Sequence, residues 1–238
     1  MTIDLILNVI LSLIAVFMAI VFHEVAHGFV AARLGDPTAK TGGRLSLNPL
    51  AHVDPVGTIL VPLTLAIIQL IAPTAHPIFF GWAKPVPVNP NYFKNPFRGM
   101  LYVALAGPGA NLALGGVVAL VCRLVFLAIP TLGTTVALRY GLAANALHAI
   151  FYVLGMFVIY CVVLAAFNLI PIPPLDGSRV LTYFLPPGGR KIMLSLERYG
   201  FIILIFIIFL GGLDFLFAGI APLWGWLLGG DWLTAMFT

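Results

Sequence analysis

The sequence predicts an all-α polytopic membrane protein: roughly four transmembrane helices plus a re-entrant hairpin, five or six helical segments in all, with a small β-hairpin or edge-strand region. Three observations predict it. Hydrophobic residues make up 61% of the 238 and charged residues only 8%. Mean hydropathy is +1.10, far from a soluble globular domain. The apolar residues also gather in runs long enough to cross roughly 30 Å of hydrocarbon. A net charge of +4 in so apolar a chain is a guide to which loops face the cytoplasm, and no nucleic-acid partner is expected. Cys122 and Cys161 both fall inside apolar runs, so they offer neither a disulfide framework nor a CxxC metal site. With no internal repeat and no soluble domain of useful size, residues 1–238 read as a single membrane-embedded domain.

In chain order, the spanning candidates are residues 5–32, 101–129, 145–170 and 201–220. The first opens with an acid rather than a basic n-region and no small-residue cleavage site follows it, so it is expected to stay in the mature chain. A shorter run, 56–72, is interrupted by Pro62. The tail 221–232 is apolar and aromatic but broken by Pro and Gly, which suits an interfacial segment. Two polar connections are long, 34–55 and 73–99. Within them "GGRLSLNP" (42–49) and "WAKPVPVNP" (82–90) show short alternating patterns bounded by Gly, Pro and Asn, and each reads as a short strand. Pro85 and Pro87 cannot donate to a ladder, so the second strand must lie at an edge or turn those positions outward.

The first run contains "VFHEVAHGFV" (21–30). On a helix, His23 and His27 share a face, so two imidazole nitrogens can meet one metal ion while Glu24 projects beside it. As packed polar residues, three ionisable groups in hydrocarbon would cost several kcal/mol without compensation. A divalent cation compensates by turning neutral imidazoles into ligands. A tetrahedral zinc that keeps one position for water needs a third protein ligand. The candidates are Asp4, Asp36, Asp54, Asp176, Glu197, Asp214 and Asp231, with His52, His76 and His148. Asp54 before Pro55 is the ordinary N-cap and N1 pairing of a helix. Asp176, in "NLIPIPPLDGSR", follows an apolar helix that Pro171, Pro173 and Pro174 stop near the membrane edge. Asp-Gly is equally a turn dipeptide, so physics alone favours Asp176 only slightly.

"HEVAH" (23–27), "AGPGAN" (106–111) and "NLIPIPPLDG" (168–177) together resemble the three motifs of the site-2 protease (peptidase M50-like) family of intramembrane zinc metalloproteases. "LSLNPLAHVDPVGT" and "FGWAKPVPVNP" resemble its short members, which lack PDZ or CBS domains. The resemblance implies one zinc per chain held by His23, His27 and Asp176, with Glu24 as general base. It also implies substrate-binding or oxyanion support from Asn111 and Asn168. The expected activity is hydrolysis of peptide bonds within or near transmembrane segments of membrane proteins, the partners being a transmembrane substrate and the lipid bilayer. The edge strand at 84–88 could hold an unwound substrate by strand addition. The alternatives are a membrane metal-ion transporter, which would be expected to show further ligands along a path and often inverted repeats, and a catalytically silent scaffold of the same fold.

Placing His23 and His27, late in their helix, at the depth of Asp176, just past the end of its own, makes the two helices parallel and separates them by an odd number of crossings. The run 56–72 is then a re-entrant hairpin. Ten of the twelve basic residues fall on one side (Arg33, Lys40, Arg44, Lys84, Lys94, Arg98, Arg179, Arg190, Lys191 and Arg198) and Arg139 on the other. By the positive-inside rule the N-terminus is external and the site lies towards the cytoplasmic side of the cell membrane.

Overall fold

A computed structural model describes residues 2–71, 81–129 and 141–228. His76, Arg139 and Asp231 lie outside the described residues, as do the side chains of Asp4 and Asp214. Helices are α1 (Thr2–Arg33), α2 (Thr38–Thr41), α3 (Val61–Ile71), α4 (Pro96–Ala128), α5 (Gly141–Asn168), α6 (Asp176–Phe184), α7 (Pro187–Leu196), α8 (Gly200–Phe209) and α9 (Gly212–Leu228). A π-helical stretch, Pro55–Leu60, leads into α3. Among the described residues, three helical stretches are long and apolar enough to cross a membrane: Leu7–Arg33, Pro96–Ala128 and Asn145–Asn168. Leu13, Phe29, Val117, Leu120, Leu124 and Ile150 are exposed along them, as side chains facing hydrocarbon would be.

Helices α1, α4 and α5 pack on one another to form the core. Ala15 and Ala19 let α1 approach Phe157 and Cys161 of α5. Gly115 does the same between α4 and α5, since a Cβ there would lie 2.9 Å from the Cys161 Cβ; small residues at such crossings permit close backbone approach. Contact pairs fix the helix directions. Ser12 meets Tyr152 and Phe22 meets Phe157, so α1 and α5 run parallel. Cys161 lies against Gly115 and Phe151 against Phe126, so α4 is antiparallel to α5. Ala31, Phe93 and Val103 form a separate cluster that brings the end of α1 to the start of α4.

Two expectations require correction. The run 201–220 is not one helix: α8 ends at Phe209 and α9 begins at Gly212, with Gly211 between them at φ 81°, a conformation that glycine adopts without strain. Helix α9 then continues through Pro222 to Leu228, taking in most of the tail read as interfacial; its Trp226 carbonyl accepts from Arg123 of α4 at 3.1 Å. No strand occurs among the described residues, neither at 42–49 nor at 82–90. The physical reason for the second is proline. The N–H groups of Trp82 and Lys84 donate to Gly57 O at 3.1 Å and His52 O at 2.9 Å, that of Val86 donates to Glu24, and Pro85 and Pro87 at the alternate positions have no N–H to pair. The segment is extended and tied down one residue in two, without a ladder.

Candidate metal centre

Helix α1 is unbroken from Thr2 to Arg33, so His23 and His27 lie one turn apart on one face. Their rings stand nearly perpendicular, centroids 4.6 Å apart, and both are buried. Asp176 is the first residue of α6; α5 has ended at Asn168 and the proline-rich stretch carries the chain back to the histidines. Gly177 makes that placement possible. A Cβ on it would lie 2.2 Å from the Leu169 carbonyl oxygen and 2.5 Å from that of Ile170, so Asp-Gly here opens a helix packed against backbone instead of making a turn. The Asp176 Oδ2 lies 3.2 Å from His23 Nε2 and 3.1 Å from His27 Nε2.

Helix α4 supplies the other wall through Val103, Gly107 and Asn111, spaced four residues apart on one stripe. The His27 Nδ1–H donates to the Val103 carbonyl at 2.6 Å, a partner that can only accept. The lone pair of His27 is therefore on Nε2, facing a carboxylate oxygen at 3.1 Å. Two acceptors that close repel unless a proton or a cation lies between them. Gly107 lets α4 close on both rings: a Cβ there would lie 2.5 Å from His27 Nε2 and 2.6 Å from His23 Nε2. The chemistry of the donors, two imidazoles and a carboxylate whose candidate ligand atoms all lie within 4.8 Å of one another, fits a divalent metal. Asn111 completes the stripe, its side-chain nitrogen 3.4 Å from His23 Nδ1.

Each remaining described candidate has another occupation. Asp54 caps the helical run, accepting from Val56 N at 3.0 Å and Gly57 N at 2.7 Å. The buried Asp36 accepts from the Thr38 amide and hydroxyl and from Asn89 N at 2.7 Å. Burial opposes its charge, but those hydrogen bonds outweigh it and hold its carboxyl below the usual range. Glu197 pairs with Arg179 at 3.3 Å, His52 meets the Ser46 carbonyl at 2.8 Å, and His148 lies beside Tyr152. Asn168 spends one N–H on the Leu164 carbonyl of its own helix at 2.9 Å.

What sequence reasoning did not find is the partner of Glu24. Its Oε2 accepts from the backbone N–H of Val86 at 2.8 Å, so the extended segment lies directly against the histidine helix. Gly28, one turn on, admits it: a Cβ there would meet Val86 Cγ1 at 2.9 Å and Leu45 Cδ2 at 2.7 Å. Beyond the end of this segment a cleft of about 380 Å³ is lined by Val88, Phe97, Met100, Ser178, Thr182 and the Arg179–Glu197 pair; none of His23, His27 and Asp176 lines it. The spacing 103, 107, 111 was the readable signal for α4, since it repeats the helical period through "AGPGAN".

A family model described as Peptidase family M50 matches residues 11–211. A Bacillus subtilis protein named as a zinc metalloprotease, YwhC, is 37% identical over 190 residues, covering 80% of this chain and 76% of that protein. Two proteins named as zinc metalloprotease Rip2 are similar over 79% of this chain, one from Mycolicibacterium smegmatis at 31% identity and one from Mycobacterium tuberculosis at 26%. The match spans 62% of the length of each Rip2 protein. No solved structure matches this chain.

Proposed function

The chain belongs to peptidase family M50 and is an intramembrane zinc metalloprotease, and from that premise we propose that His23, His27 and Asp176 hold its zinc while Glu24 is the general base. The observation that carries the ligand set is the convergence of those three side chains, whose candidate ligand atoms all lie within 4.8 Å of one another. When bound, zinc supplies Lewis acidity to the attacking water and the scissile carbonyl. With Oε2 held by Val86 N–H, Oε1 is the Glu24 oxygen that takes the proton from the water and passes it to the leaving amide nitrogen. Asn168 keeps its Oδ1 and a second N–H for the substrate backbone. The cleft along Val88 and Ser178 gives room for the substrate chain on one side of the scissile bond. The family implies membrane-embedded protein substrates and a lipid environment. The transporter and silent-scaffold alternatives gain no support.

The ligand set is tested by metal content. Detergent-purified wild type is expected to carry near one zinc per chain, Asp176→Ala less than about a tenth of that, and Asp54→Ala the wild-type amount, because Asp54 caps a helix for about 1 kcal/mol and touches no ligand. Zinc retained in Asp176→Ala would remove it from the ligand set.

Residues 1–238 act as one membrane-embedded domain, its N-terminus external, its site towards the cytoplasm and its run 56–72 re-entrant. Supporting this, α1 and α5 are parallel with α4 antiparallel between them, and the end of α1 meets the start of α4, so the chain from 34 to 95 leaves and returns at one end of the bundle. That end also bears the Arg33 and Lys94 groups of basic residues. The native cysteines are buried, so in intact cells a Lys94→Cys variant is expected to resist an impermeant thiol reagent until the membrane is opened; labelling from outside would reverse the orientation.

A further inference from the structure

Asn111 is completely buried on α4. Its Nδ2 lies 3.4 Å from His23 Nδ1, long for a hydrogen bond, and its Oδ1 has no partner among the described residues. The oxygen and nitrogen of a carboxamide exchange places by a half-turn about the last side-chain bond. One amide atom is unpaired in either orientation, so the choice between them rests on what His23 requires. If the amide nitrogen donates to Nδ1, the His23 proton resides on Nε2 and the lone pair that would meet a metal is gone. If the oxygen faces Nδ1, it accepts Nδ1–H, and Nε2 presents its lone pair at the atom that lies 3.2 Å from Asp176.

We propose that Asn111 is a positioning residue whose side-chain oxygen accepts the His23 Nδ1–H and fixes the metal-binding tautomer. Helix α4 then sets both imidazoles in the same way, through the Val103 carbonyl for His27 and Asn111 for His23. This differs from the substrate or oxyanion role that the resemblance implies for Asn111: the amide is completely buried and its oxygen is committed to His23. The proposal rests on His23 being a ligand.

Zinc affinity measured by chelator competition on purified protein separates the two claims. His23→Ala is expected to lose stoichiometric zinc. Asn111→Leu, similar in size but without hydrogen-bonding atoms, is expected to bind zinc about 10–100-fold more weakly. Asn111→Asp, which keeps only acceptors, is expected to stay within a few-fold of wild type. Wild-type affinity in Asn111→Leu beside a zinc-poor His23→Ala would overturn the proposal and spare the ligand set. Equal weakening in Asn111→Asp and Asn111→Leu would overturn it as well, since the acceptor is then not what matters. Full zinc in His23→Ala would remove the ligand reading itself.

Discussion

Glu24→Gln is expected to keep a full complement of zinc and to lose about 10²–10⁴-fold in cleavage rate, the range a positioned general base contributes. That is about 3–5 kcal/mol of transition-state stabilisation. Glutamine is the right substitution because of Val86. The Val86 N–H donates to Glu24 Oε2, and the Gln carbonyl oxygen can accept the same bond, so the extended segment stays where it is. What is lost is the second carboxylate oxygen, replaced by an NH₂ that cannot take a proton. Glu24→Ala would confound the measurement, because a Val86 N–H left unpaired costs about 1–3 kcal/mol by itself. Single-turnover cleavage of a transmembrane reporter peptide, with zinc content measured on the same sample, checks the prediction. Turnover within a few-fold of wild type would exclude Glu24 as the base; zinc loss with the activity would make it a structural residue of the site.

Gly107→Ala is expected to be at least as damaging, through the metal rather than the proton. Alanine is the better helix former by roughly 0.5–1 kcal/mol, so helix propensity alone predicts a gain. The added Cβ, however, falls 2.5 Å from His27 Nε2 and 2.6 Å from His23 Nε2, distances that side-chain contacts do not reach, and the rings have no slack. The Val103 carbonyl holds one ring and Asn111 lies against the other. The methyl must push both Nε2 atoms away from where they face Asp176. Zinc affinity should therefore fall by about 100-fold or more, beyond the 10–100-fold typical of changes behind the ligands, with activity lost in parallel. Gly109→Ala is the control: two residues on in the same helix, its Cβ would meet nothing within 4 Å, so zinc should be unchanged. Equal zinc in Gly107→Ala and wild type would show that the metal lies elsewhere.

What the sequence determined by itself is what local spacing encodes. Runs of apolar residues specify membrane helices because length and hydropathy are properties of a segment alone, and α1, α4 and α5 follow from them. The i, i+4 histidines specify a shared helical face in the same way. Asp54 before Pro55 is a cap whatever else surrounds it, and is one here.

What only the tertiary structure decided is which face meets which. Several acids were open as partners for the histidines until the chain placed Asp176 at 3.1 Å and engaged Asp36, Asp54 and Glu197 elsewhere. Gly107 read as a small packing residue, because a glycine's missing side chain acquires meaning only from what fills its place. The segment 82–90 alternated like a strand, yet no ladder forms, since pairing depends on a neighbour and Val86 found Glu24 instead. The 201–220 run was apolar throughout, and its break at Gly211 depends on a backbone conformation that hydropathy does not register. Periodicity fixes the face a helix offers; the partner on that face lies far away in sequence, 76 residues from His27 to Val103 and 153 from His23 to Asp176, and only folding brings it there.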